Sequence, residues 1–204
     1  MKNILWDFDG VILNSMKVRD WGFEEIFKNF DQELINELLI FHRKNGGLSR
    51  YVKIRYFYEK ILSKSISKEK IDKYAESFSV LMKMELIKSE NLILDSLDYI
   101  KTNHQKYNFH IVSGSDQLEL RFLCKELKIA QYFNSIHGSP TPKNQLVSNL
   151  LDTYQYDKEN TCLIGDSIND YEAAEYNEIS FFNYNNNEIR SLGKEINSFK
   201  DFNY

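Results

Sequence analysis

The sequence lacks the residues that define several large protein classes. Its 204 residues include two cysteines, too few for a disulfide framework. Cys124 and Cys162 both lie in apolar patterns, so we expect them to be reduced core residues. No apolar run approaches the length of about 20 residues that a membrane-spanning helix needs. Asp7 and Asp9 interrupt the apolar run near the N-terminus, so we expect no signal peptide and a cytoplasmic location.

An excess of positive charge is also missing. Lys and Arg number 26 against 30 Asp and Glu, and the net charge of −4 argues against a general affinity for nucleic acid. Hydrophobic residues at 42% and charged residues at 27% are typical of a globular chain. A basic cluster could meet an anionic substrate, although a solvated helix surface is its more ordinary role. This cluster consists of Arg43, Lys44, Arg50, Lys53 and Arg55.

Short apolar runs alternate with helical periodicity over the second half of the chain. From residue 92 onward this alternation predicts an α/β fold, with a parallel sheet that has helices on both faces. Between residues 17 and 90 the patterns are helical, so we predict an inserted all-helical segment. Ser15 is placed to cap the first helix, and Ser67 to begin a long one. The predicted strands cover residues 3–6, 109–112, 133–137, 161–164 and 179–182.

Two aspartates stand at the end of the first predicted strand. Asp7 and Asp9 follow the buried run, and Gly10 lets the backbone turn sharply. In open α/β sheets, ligands bind at the carboxyl ends of the strands. Two carboxylates there are too costly to bury unpaired, and an oxygen-seeking cation such as Mg²⁺ would compensate them. A loop with two solvated aspartates is the alternative.

Polar residues follow the other predicted strands as well. The carboxyl ends of parallel strands share one edge of a sheet, so we expect these residues to converge. Each of them alone is more often a surface residue or a helix cap, but the ordered set is harder to dismiss. The set comprises Ser113 and Gly114 after the second strand, Lys143 after the third, and Asp166 and Asp170 after the fourth.

These motifs together resemble the haloacid dehalogenase-like superfamily of phosphohydrolases over nearly the whole chain. Residues 7–11, Asp-Phe-Asp-Gly-Val, match its first motif, and residues 111–115, Ile-Val-Ser-Gly-Ser, match the second. Lys143 stands as the lysine of the third motif, and residues 165–170 match the fourth, Gly-Asp followed by a second acid. The resemblance implies a Rossmann-like core domain at 1–15 and 92–204 and a C1-type helical cap domain at 16–91.

The resemblance also implies a role for each motif residue. Asp7 would be the nucleophile that forms an aspartyl-phosphate, and Asp9 the general acid and base. Mg²⁺ would be held by the side chains of Asp7 and Asp166 and by the backbone carbonyl of Asp9, with Asp170 orienting these ligands. Three further groups would hold the phosphoryl oxygens. They are Ser113, the Gly114 amide and Lys143.

Several activities occur on this scaffold. A dehalogenase or phosphonatase does not need Asp9, so the second aspartate indicates phosphoryl transfer. We therefore expect a phosphatase acting on a small phosphorylated metabolite, with a sugar phosphomutase of the β-phosphoglucomutase type as the alternative. The cap sequence Gly46 to Arg50 resembles the substrate-reading region of those mutases, and Arg50 is a candidate specificity residue. However, such mutases usually carry Glu-Asp where this chain has Gly165-Asp166. A non-catalytic binding module is a further alternative.

Overall fold

The structure, a computed structural model, describes residues 2–204 and contains a six-stranded sheet. The strand order is β3-β2-β1-β4-β5-β6, and each pair of neighbours is parallel. The predicted α/β class and parallel sheet are therefore confirmed. The strands are β1 Asn3–Trp6, β2 Asn108–Asp116, β3 Ser135–Ser139, β4 Thr161–Gly165, β5 Ser180–Tyr184 and β6 Lys194–Ile196. The first strand, β1, therefore lies in the middle of the sheet, between β2 and β4.

Helices cover both faces of this sheet. Side chains of β1 alternate between two apolar clusters, with Ile4 and Trp6 in one and Leu5 in the other. The Leu5 cluster includes the apolar residues of α7 and α8, whereas the Ile4 cluster includes those of α5 and α6. The helices after residue 93 are α5 Leu94–Asn103, α6 Gln117–Glu126, α7 Lys143–Tyr154 and α8 Ile168–Tyr176.

Residues 16–91, named the helical segment here, contain helices and no strand. An aromatic core holds these helices together, with Phe23 against Phe78 at 4.6 Å and Phe27 against Phe57 at 4.2 Å between ring centroids. Ser67 caps the last helix by accepting a hydrogen bond from Lys70, as predicted. The four helices are α1 Met16–Phe27, α2 Gln32–Lys44, α3 Arg50–Tyr56 and α4 Lys68–Glu85, and a π-helical turn, Phe57–Ile61, continues α3.

Several local features of the structure differ from the predictions. β2 continues to Asp116 instead of ending at residue 112, because a register shift between Val112 and Asp116 lets it pair further with β3. The Ser15 side chain makes no cap hydrogen bond and instead donates to Asp9. The strand β6 was not predicted, because only Ile196 of its three residues is buried. Among residues 2–204, no helix has the length and apolar character needed to cross a membrane.

Candidate active site

Lys143 joins two aspartates at the carboxyl edge of the sheet. Its ammonium nitrogen lies 2.7 Å from Oδ1 of Asp7 and forms a second ion pair with Oδ1 of Asp170. All three side chains are buried. Lys143 begins α7, Asp7 follows β1, and Asp170 lies in the first turn of α8. The structure therefore brings residues of three predicted motifs into direct contact.

Asp166 completes an acidic group beside this lysine. Carboxylate oxygens of Asp7, Asp166 and Asp170 lie within 4.8 Å of one another. Burial, then repulsion from Asp170, raises the pKa of Asp7 to about 7 against the attraction of Lys143. Burial and then the Asp7 charge raise the pKa of Asp166 well above its usual range. Three carboxylates thus face one ammonium group, which leaves negative charge without compensation.

Hydrogen bonds and a tight turn hold these acids in place. Asp170 accepts hydrogen bonds from the Ser167 amide at 3.0 Å and the Ser167 hydroxyl at 2.6 Å. The bond from the amide is one half of a capping box at the start of α8. Asn186 donates to the main-chain oxygen of Asp166 at 2.7 Å. Gly10 has φ of +81°, and a Cβ there would collide with the Asp166 carboxylate, so this turn requires glycine.

Ser113 and Gly114 lie inside β2, past its last residue paired with β1, and not after the end of β2 as the sequence indicated. The Ser113 hydroxyl accepts a hydrogen bond from the Ser115 amide at 3.1 Å. Gly114 meets the main chain of Gly47 in the helical segment so closely that a Cβ on Gly114 would collide with the Gly47 carbonyl oxygen. The loop between α2 and α3 therefore lies directly on the end of β2.

The Asp9 carboxylate turns away from the other acids, toward the helical segment. Arg19 of α1 pairs with Oδ1 of Asp9 at 2.7 Å, and Ser115 donates to Oδ2 at 2.6 Å. Burial alone would raise the pKa of Asp9, but the Arg19 charge and the hydrogen bonds from Ser115 and Ser15 hold it below its usual range. The Asp9 carboxyl, expected from the sequence to act as general acid and base, thus lies in an ion pair with Arg19.

Arg50 is also bound within the protein. Its Nη1 lies 2.7 Å from Oε2 of Glu119 and 2.6 Å from the Ser79 hydroxyl. Glu119 is fully buried in α6 and lies 3.3 Å from Nη1 of Arg19 through its other oxygen. One carboxylate of the α/β part therefore binds two arginines of the helical segment.

The acidic group fits Mg²⁺. It offers only oxygen ligands, which a hard cation prefers, and the Asp166 carboxylate has no hydrogen-bond donor or cation paired with it among residues 2–204. The negative charge left over after Lys143 is counted is of the sign that a divalent cation would neutralise. Asp7, Asp166 and Asp170 are the side chains placed to hold it, directly or by orienting the ligands.

Some residues of the site were not identified from the sequence. Arg19 and Glu119 are 100 residues apart, and Asn186 lies in a segment without a clear pattern. Their roles arise from contacts between distant parts of the chain. The one local signal is the spacing of Arg19 within the first helix, which places it one turn after Ser15 and near the end of β1.

The raised pKa of Asp7 predicts how stability depends on pH without metal. In the native state Asp7 stays protonated up to about pH 7, whereas in the unfolded chain it ionises near its ordinary pKa of about 3.9. The unfolded state then binds fewer protons, so the Asp7 contribution to stability falls as pH rises between these values. In excess EDTA, Asp7→Asn should therefore gain thermal stability over the wild type between pH 5.5 and pH 8. Equal differences in melting temperature at both pH values would contradict the raised pKa.

Comparisons with known proteins agree with this architecture. CbbY from Rhodobacter sphaeroides, solved with phosphate, superposes with a TM-score of 0.76 at 16% identity, covering 98% of this chain and 96% of that one. β-Phosphoglucomutase from Clostridium difficile gives 0.77 at 14% identity, covering 100% and 94%. A predicted phosphoglycolate phosphatase from Haemophilus somnus gives 0.73 at 15% identity, covering 98% and 96%.

At these low identities, the superpositions show a shared fold alone. No protein among the curated ones matches the sequence. A family model described as haloacid dehalogenase-like hydrolase matches residues 4–184. This match includes the acids that follow β1 and β4, Lys143 and the whole helical segment. The chain belongs to the haloacid dehalogenase-like hydrolases.

Proposed function

We propose that this protein is a Mg²⁺-dependent phosphatase that hydrolyses a small, sugar phosphate-like metabolite through an aspartyl-phosphate. The observation that carries the proposal is the contact of Lys143 with Asp7 and Asp170 beside the Asp166 carboxylate. A buried nucleophile, a fixed ammonium group and an oxygen-rich cation site are the parts that phosphoryl transfer requires. A non-catalytic module would not need to keep these costly buried acids together.

In the first half-reaction, the Asp7 carboxylate attacks phosphorus and the bond from phosphorus to the leaving oxygen breaks. Asp9 protonates that oxygen, and Ser113, the Gly114 amide and Lys143 hold the phosphoryl oxygens. Mg²⁺, when bound, neutralises the repulsion between the carboxylate and the phosphoryl group. In the second half-reaction, Asp9 takes a proton from water, which attacks the aspartyl-phosphate and releases phosphate and Asp7.

The ion pair between Arg19 and Asp9 has to separate before Asp9 can act as an acid. While the ion pair persists, Asp9 is ionised and suited to act as a base. Separation from Arg19 removes the main interaction that lowers its pKa, and burial then favours the protonated form that acts as an acid. We infer that Asp9 exchanges its contact with Arg19 for the leaving oxygen of the substrate.

Residues 16–91 would form a cap over the core domain of residues 1–15 and 92–204. Two contacts support this position of the cap, the Arg50 pair with Glu119 and a hydrogen bond of 2.8 Å from the Tyr51 hydroxyl to Asp116. Both join a helix of the helical segment to an element of the sheet part. A cap in this position would exclude bulk water from the reacting phosphorus.

A phosphomutase is the second candidate, favoured by the sequence from Gly46 to Arg50 and by the structural similarity to β-phosphoglucomutase. The glycine at position 165 favours the phosphatase over the mutase. The mutases usually carry glutamate there, whereas a Cβ on Gly165 of this chain would collide with the Asp170 side chain. The absence of a side chain at Gly165 therefore leaves the space that the Asp170 side chain occupies.

The test is phosphate release from a panel of phosphomonoesters, measured with Mg²⁺ and again in excess EDTA. The panel contains sugar phosphates, nucleotides, phosphoglycolate and para-nitrophenyl phosphate. Release should fall to background in EDTA and return with Mg²⁺, but poorly with Ca²⁺, which prefers more ligands at longer distances. Release that persists in EDTA would contradict the metal site. Faster interconversion of sugar 1- and 6-phosphates than phosphate release would establish the mutase instead.

A further inference from the structure

Glu119 is buried between two arginines of the helical segment. It lies in α6 with no exposed side-chain surface, and Oε1 of its carboxylate is 3.3 Å from Nη1 of Arg19. The other oxygen, Oε2, lies 2.7 Å from Nη1 of Arg50. A buried carboxylate is costly unless it is paired. Within residues 2–204, Glu119 is the one carboxylate that pairs with arginines from two helices, and the mechanism proposed above gives it no part.

Four charged side chains alternate in sign between the sheet part and the helical segment. Asp9 pairs with Arg19 of α1 at 2.7 Å, Arg19 pairs with Glu119, and Glu119 pairs with Arg50 of α3. The two carboxylates and the two guanidinium groups cancel in net charge, so removal of any one leaves a charge without full compensation. Arg19 stands between the two carboxylates and is shared by them.

The guanidinium group of Arg19 uses a different nitrogen for each partner. Nε donates to Oδ1 of Asp9, Nη1 donates to Glu119, and Nη2 donates to the Ser115 hydroxyl at 2.8 Å. The contact with Glu119 therefore does not depend on the contact with Asp9. When Asp9 moves away, Nη1 and Nη2 can keep their partners on α6 and β2.

The proposed function requires Asp9 to separate from Arg19 during each turnover. A buried guanidinium group that loses its anion is destabilised, so the separation is favourable only if another anion stays beside Arg19. Glu119 is the other carboxylate that pairs with Arg19 in the part of the chain that the structure describes. Without the Glu119 charge, Arg19 would depend on Asp9 alone and would oppose its movement.

We propose that Glu119 is a positioning residue, which retains Arg19 while Asp9 moves from this arginine to the leaving oxygen of the substrate. This inference rests on the proposed function and extends it to a residue outside the groups that hold the substrate or Mg²⁺. Glu119 acts through Arg19, so its contribution belongs to the step that uses the Asp9 proton. Steps that need no proton from Asp9 should depend on Glu119 much less.

A double-mutant cycle measures the sharing of Arg19 without any turnover. Asp9→Asn removes the first carboxylate charge and imitates the state in which Asp9 has left Arg19, and Glu119→Gln removes the second charge with little change in size. Urea unfolding of the wild type, both single variants and the double variant gives each equilibrium constant of unfolding. Asp9→Asn should raise this constant at least about tenfold more in Glu119→Gln than in the wild type, because only the double variant leaves Arg19 without an anion.

A second measurement compares two esters of nearly the same shape. para-Nitrophenyl phosphate releases a phenolate that the nitro group stabilises, whereas phenyl phosphate releases a more basic oxygen that needs the Asp9 proton. kcat/KM covers the steps up to departure of the alcohol and so excludes the later hydrolysis of the aspartyl-phosphate. Glu119→Gln should lower kcat/KM at least about fivefold more for phenyl phosphate than for para-nitrophenyl phosphate.

Glu126→Gln is the matched control for both measurements. Glu126 is an exposed glutamate of the same helix, so its replacement makes the same chemical change away from Arg19. It should give an additive cycle with Asp9→Asn and leave both esters at wild-type kcat/KM. Where Glu119→Gln does not fold, Glu119→Asp provides the same comparisons with smaller effects, because it keeps the charge but draws the carboxylate back from Arg19.

Either of two results would overturn the proposal. One is an additive cycle between Asp9 and Glu119, and the other is an equal loss of kcat/KM for the two esters, which would make Glu119 a structural residue only. A wild type that releases no phosphate from any ester would overturn the proposed function and the reaction step assigned to Glu119. The cycle would still show whether Glu119 compensates Arg19, so the two failures are distinguishable.

Discussion

Replacing Asp7 with Asn is expected to lower kcat for phosphate release by at least about 10⁴-fold, because an amide is a poor nucleophile toward phosphorus. The fold should remain intact, since the two side chains have nearly the same size. Asn also removes one of three carboxylates that crowd around Lys143, so the metal-free variant should be no less stable than the wild type at pH 8. Phosphate release and thermal unfolding of the same preparation measure both effects.

Asp152→Asn is the matched control for this variant. Asp152 is exposed on α7, and its replacement makes the same chemical change away from the acidic group. It should keep wild-type activity. Substantial Mg²⁺-dependent release by purified, folded Asp7→Asn would show that another group attacks phosphorus.

Replacing Lys143 with Met should damage both stability and catalysis. Lys143 is the cation that compensates Asp7 and Asp170, and breaking a buried ion pair costs about 3–5 kcal/mol. The loss should be largest at pH 8 and smaller at pH 5.5, where protonation of the acids relieves their repulsion. Loss of a donor to the phosphoryl oxygens should lower kcat by about 10²–10³-fold.

A second change separates these two effects. Adding Asp170→Asn to Lys143→Met removes one of the unpaired carboxylates, so it should recover part of the lost stability at pH 8. It should not recover activity, because the ammonium group remains absent. If Lys143→Met matches the wild type in melting temperature at both pH values, Lys143 does not compensate the acids.

The sheet could be predicted because its inner strands are continuous apolar runs. β1 was predicted at its observed bounds, and β4 to within one residue. The prediction was less accurate at the edge, where β3 begins at Ser135 and not at residue 133. The first three residues of β3 are only partly buried, so hydrophobicity gave a weak signal for its register.

Residues of the candidate site could be predicted only where they come after a predicted strand in the chain. Asp7, Lys143, Asp166 and Asp170 were identified from their order along the chain, and the structure brings their side chains together. The ionic surroundings of Asp9 could not be predicted. Arg19 reaches Asp9 from a helix of the helical segment, and the contact depends on how the two parts of the chain pack together.

The main-chain contact between Gly47 and Gly114 sets an order of events for each turnover. The Gly114 amide is a proposed donor to the phosphoryl group, and the Gly47 carbonyl oxygen lies beside the Gly114 Cα, where a Cβ would stand. Under the proposed function, release of this contact would widen the approach to the Gly114 amide for substrate and for inorganic phosphate. Each turnover would then include one movement of the helical segment away from β2 and one back. Faster bond chemistry would not shorten these movements, so they would limit the turnover number.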